Sequence, residues 1–147
     1  MVRWWLVAVA LASVVAAEAS GSWVSREVEI APEVSTDASA PAALAFEGLE
    51  LPSNRSLIVR VFANLPEGAT DISPKSPHYL GYFAVEAAQE TDRTARRTVK
   101  PIVRLRKRVP FGEPLRVTLV PVDGRGRPIK DVTLKIGRVV LIGDRQP

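Results

Sequence analysis

Residues Ser56 to Leu65 read Ser-Leu-Ile-Val-Arg-Val-Phe-Ala-Asn-Leu. Leu57, Val59, Val61 and Ala63 fall on one face at a period of two, and Ile58, Arg60, Phe62 and Asn64 fall on the other. β-Branched and aromatic side chains lose rotamer freedom in a helix and pack well on a pleated surface. Both faces of the stretch carry apolar groups. It is therefore expected to be a central strand.

Further segments of the same kind lie on either side. Tyr79 to Val85 (YLGYFAV) is expected to turn Tyr79, Gly81, Phe83 and Val85 to one face and Leu80, Tyr82 and Ala84 to the other. Leu115 to Val122 places Leu115, Val117 and Leu119 inward against Arg116 and Thr118. Val132 to Ile142 reads as a long last strand broken at Gly137. Leu44 to Leu51 is a short apolar strand with Gly48 as a bulge or kink, and Val24 to Ile30 is a first strand. Thr98 to Leu105 contains Pro101, which lacks an N–H and suits an edge or a bulge. Ala31 to Ala42, Pro66 to Pro77 and Asp123 to Pro128 are rich in turn formers. Twelve prolines and nine glycines punctuate the 147 residues, and no helical periodicity persists beyond three turns. The expected fold is all-β, an antiparallel β-sandwich of about seven strands.

The first residues do not belong to that pattern. Arg3 precedes an apolar run from Trp4 to Ala17 broken only by Ser13, which is too short to span a bilayer of ~20 apolar residues. With Ala17-Glu18-Ala19 after it, the run matches a secretory signal peptide cleaved after Ala19. The expected organisation is a signal peptide at 1–19, an N-terminal strand and linker at 20–42, and the sandwich at 43–147. No cysteine follows the apolar run to carry a lipid, and no Arg-Arg pair precedes it. The expected location is the periplasm or the medium.

Composition narrows the chemistry. The chain has no cysteine and one histidine, His78. Disulfides, thiolate metal sites and cysteine nucleophiles are excluded, and a histidine-rich metal site has no ligands. No serine sits in a G-x-S-x-G elbow, and Gly124-Arg125-Gly126 is not followed by a helix start. No catalytic residue, metal ligand or cofactor is expected, and the chain reads as a binding module. Charge is divided along it. Ser20 to Asp92 carries eleven acids against four bases, a net of −7, and Arg93 to Pro147 carries fifteen bases against four acids, a net of +11. The densest stretch, 93–108, holds Arg93, Arg96, Arg97, Lys100, Arg104, Arg106, Lys107 and Arg108 without an acid. Two readings stay open: the solvated face of a strand, as the alternation in Val103-Arg104-Leu105-Arg106 describes, or a site for an anionic polymer or surface. Export argues against nucleic acid as the partner.

Three segments carry a resemblance. They are Val59-Arg60-Val61-Phe62-Ala63-Asn64-Leu65-Pro66, then Ser76-Pro77-His78-Tyr79-Leu80-Gly81-Tyr82-Phe83, then Val117-Thr118-Leu119-Val120-Pro121-Val122. In this order they resemble the carboxy-terminal β-sandwich of the tyrosinase and polyphenol oxidase family. There an R-V-F-x-N-x-P strand is followed by a Y-x-G-x-F strand and later by V-T-L-V-P. The likeness covers roughly residues 43 to 142. In that family two coppers, each held by three histidines, lie upstream in a helical domain, which nothing here matches. The resemblance implies the accessory sandwich alone, with no oxidase activity of its own. It also implies a partner, a histidine-rich copper oxidase encoded separately. Read from the residues themselves, His78 at the entry to a strand is a structural or surface histidine or part of a partner site, and Tyr79, Tyr82 and Phe83 are either core packing or an aromatic face that inserts into a partner, with Tyr82 expected to be the most exposed of them.

One expectation concerns metal. Copper(II) favours several imidazoles and copper(I) favours thiolates and thioethers, whereas Ser20 to Pro147 offers one imidazole, no thiol and no thioether. The purified mature chain should carry no stoichiometric copper after dialysis against a mild chelator. Elemental analysis finding about one copper per chain, lost in His78→Ala, would reverse that assignment.

Overall fold

The computed structural model describes residues 23–31, 42–89, 94–105 and 114–143. The expected signal peptide at 1–19, linker residues 32–41 and the arginines at 93, 106 and 108 lie outside the described residues. Ten strands form among them: β1 (Val24–Glu27), β2 (Glu29–Ile30), β3 (Ala42–Glu47), β4 (Leu49–Pro52), β5 (Leu57–Ala63), β6 (Tyr79–Val85), β7 (Arg96–Val99), β8 (Ile102–Arg104), β9 (Arg116–Val122) and β10 (Arg138–Gly143). No helix occurs among the described residues. The first sheet has the order β1-β9-β5-β6, the second β2-β10-β3-β8, and a two-stranded piece pairs β4 with β7. Every pairing is antiparallel except β2 with β10, where Glu29 lies beside Val140 and Ile30 beside Leu141 in parallel. β5 is central, between β6 and β9.

Seven expected strands become ten for one reason. Three of the seven divide where the chain passes from one sheet to another. The first strand divides at Val28, leaving β1 in the first sheet and β2 in the second. The second divides at Gly48 into β3 and β4, and the fifth at Lys100-Pro101 into β7 and β8. The last strand forms its ladder only from Arg138. Residues 132–137 instead run beside β4, where Glu50 and Lys135 exchange both backbone hydrogen bonds at 2.8 and 3.0 Å.

The two-stranded piece is therefore the second sheet continued past a bend. β7, β4 and the 132–137 segment lie on one side of it, and β8, β3 and β10 on the other. Gly48 at the bend has φ +63°, a conformation that costs a residue with a Cβ about 1–2 kcal/mol. Its carbonyl accepts from Gly137 N–H at 3.1 Å. A Cβ on Gly137 would stand 2.8 Å from the Glu47 carbonyl oxygen and 3.3 Å from Gly48 Cα. At the third crossing Pro101 has no N–H, but its carbonyl accepts from Phe46 N–H at 3.0 Å. Arg26 on β1 reaches over from the first sheet and donates Nε and Nη2 to the Gly137 carbonyl, at 3.2 and 2.8 Å. Arg96 fastens the far side, donating Nε to Glu50 Oε1 at 2.7 Å and Nη2 to the Thr133 carbonyl at 2.7 Å.

Between the sheets Val59, Val61, Val117 and Leu119 of the first face Leu44, Phe46, Val139 and Leu141 of the second. All eight are essentially inaccessible to water. Burial of a side chain of this size contributes about 1.5–3 kcal/mol. Phe62, Ile72, Val120 and Val122 form a smaller cluster on the outer side of the first sheet, with Leu65 and Tyr79 packed against it. Arg60 ties this outer layer down by donating Nη1 to the Ile72 carbonyl at 2.9 Å.

The bend generates a stability prediction. Gly137→Ala should destabilise the fold by about 1–3 kcal/mol in urea titration, because the atoms its methyl meets are backbone that cannot swing away. Gly124 has open space around it, and Gly124→Ala should lie between no change and a gain of about 1 kcal/mol. Equal effects of the two would show that the close approach does not matter. A second prediction concerns acid. Asp123 accepts from the backbone N–H groups of Arg127 and Arg125 and from Arg127 Nε, at 2.9, 2.8 and 2.9 Å. These bonds, led by the Arg127 backbone N–H, hold its carboxyl below the ordinary 3.8. A depressed pKa contributes stability that is complete above the ordinary value and is lost as pH falls through the folded one. Wild type should thus exceed Asp123→Ala in stability at pH 7, with the gap narrowing below about pH 3.8. A constant gap from pH 7 to pH 2 would remove the ionised carboxylate from the explanation.

Candidate functional site

The aromatic set expected to meet a partner is split by the fold. The β5–β6 ladder shifts register between Val61 and Phe62: Val61 stands opposite Gly81, and Phe62 opposite Tyr79. Leu80 is the extra residue of this bulge, and it turns into the main core with Phe83. The strict alternation expected for Tyr79 to Val85 fails here, and Tyr79 and Phe83 end on opposite faces. Tyr79 packs edge-on against Phe62 in the outer cluster, with ring centroids 5.7 Å apart. Phe83 is buried against Phe46 with centroids 5.8 Å apart. Tyr82 alone of the three aromatics is largely free, with 58% of its surface exposed.

His78 is used by the backbone. Asn64 ends β5 in a left-handed conformation (φ 48°). Ala63 N–H donates to the His78 carbonyl at 2.7 Å, and the Ala63 carbonyl is 2.9 Å from His78 Nδ1. A carbonyl only accepts, so Nδ1 carries the proton and the ring takes the place of a ladder N–H at the bulge. Copper, the metal of the resembled family, does not fit what is present. His78 is the only imidazole of the chain, and no group of three His, Cys, Asp or Glu side chains able to hold a metal occurs among the described residues.

The basic segment is divided as well. Arg96 is engaged with Glu50 and the Thr133 carbonyl, and Arg97 donates Nη2 to the Glu86 carbonyl. Both hold β7 in place. Lys100 and Arg104 are exposed and make no hydrogen bond or ion pair with described residues. Val103 and Leu105 are buried while Arg104 faces out, as expected of a strand with one solvated face. The fold thus brings together neither the whole aromatic set nor the whole basic set.

The strands that carry Tyr82 and Arg104 touch through their inward faces, while Tyr82 itself turns outward beside Arg60 on the first sheet and Ile102 and Arg104 turn outward on the second. β6 is an edge of the first sheet and β8 an edge of the second. The two meet at Gly81, where an added Cβ would stand 2.9 Å from Val103 Cγ1 and 3.8 Å from the Arg104 carbonyl. Tyr82 follows Gly81, and Ile102 and Arg104 flank Val103. Ile102, which the sequence reading did not single out, is 63% exposed. Its only signal was an isoleucine beside a proline in an edge strand.

An open cleft of about 510 Å³ lies where the chain crosses at Val28, lined by Ser25 to Glu29, Arg116 and Gly137 to Val139. Its arginines are largely occupied. Arg26 serves the Gly137 carbonyl. Arg138 pairs with Glu29 at 2.7 Å and Glu47 at 3.4 Å, and the Glu29 hydrogen bond leads in raising its pKa.

No family model and no curated protein matches the chain. Solved structures do. A latent aurone synthase (polyphenol oxidase) from natural source is similar with a TM-score of 0.54 at 19% identity, over 86% of this chain and 26% of that one. The recombinantly expressed latent aurone synthase is similar with a TM-score of 0.52 at 20% identity, over 85% of this chain and 25% of that one. The likeness to polyphenol oxidases read from the three strand motifs thus holds at the level of the fold, and this chain corresponds to about a quarter of such a protein.

Proposed function

We propose that the chain is an exported, non-catalytic β-sandwich that docks on a tyrosinase-like copper oxidase and shields it. One observation carries the reading: the fold is shared over 86% of this chain with about a quarter of a protein described as latent. A domain that is one quarter of a latent enzyme meets the rest of that enzyme across an interface. A chain with the same sandwich offers the same kind of surface. The single histidine leaves copper chemistry to the partner, so the contribution of this chain is steric: it occupies the approach to a site and keeps phenolic substrates out. The anionic-polymer reading loses two of its cations, Arg96 and Arg97, to internal contacts.

Affinity capture of the tagged mature chain from the periplasm and the medium of its source organism tests this. A histidine-rich copper oxidase should co-purify, and its turnover of a diphenol should rise when the two are separated at high salt. Recovery of the chain without any such oxidase, or an oxidase whose activity does not change on separation, would overturn the reading.

A further inference from the structure

We draw no further inference here: the strongest candidate, the apolar outer face of the second sheet, where Ala43, Ala45, Ile102, Val140 and Ile142 lie side by side on β3, β8 and β10, carries nothing because nothing among the described residues shows what covers it.

Discussion

The close approach of Gly48 and Gly137 is the contact on which the rest of the molecule depends. Two neighbouring strands must leave one sheet and enter another at the same level, or the ladder between them is lost. They do so because neither residue has a side chain, and because Gly137 N–H keeps its bond to the Gly48 carbonyl through the turn. The third strand of the group bends at Pro101 with its own carbonyl still paired to Phe46. Once three strands bend together, Leu49 and Leu51 fold over the end of the core and close it. The carbonyl of Gly137 would otherwise be left open by the bend, and Arg26 of the facing sheet fills it.

This explains what could be read from the residues and what could not. The seven strand segments were legible because each has a period of two and a turn signal at either end. The class of fold follows from that alone. Gly48, Gly137 and Pro101 were legible as irregularities. That they mark passages between sheets was not, because a kink and a crossing use the same residues. The crossing at Val28 has no mark at all. Glu27-Val28-Glu29 continues the alternation, and only Val28 N–H bonding to the Leu115 carbonyl separates the two strands.

The site was legible residue by residue and not as an arrangement. Tyr79, Tyr82 and Phe83 look equivalent as a string, and the bulge at Leu80 assigns one to the outer cluster, one to water and one to the core. Arg96 and Arg104 look equivalent as charge. One stands beside Glu50 and Thr133 on neighbouring segments, and the other stands at an edge with no such neighbour among the described residues. Ladder register decides both cases, and register is a property of pairs of strands that are far apart in the chain.

That distance bears on how the molecule is made. β1 finds its partner in β9 and β2 in β10, and the Arg26–Gly137 bond joins residues 111 positions apart. A fold dominated by such remote pairings closes its loops late and acquires its core slowly. β1 cannot pair until Arg116 to Val122 has been synthesised, and β2 cannot until Arg138 to Gly143 has been. The first two strands of the chain therefore join their sheets only as its last two strands do. A chain wired in this way completes both of its sheets only when nearly all of its length is present.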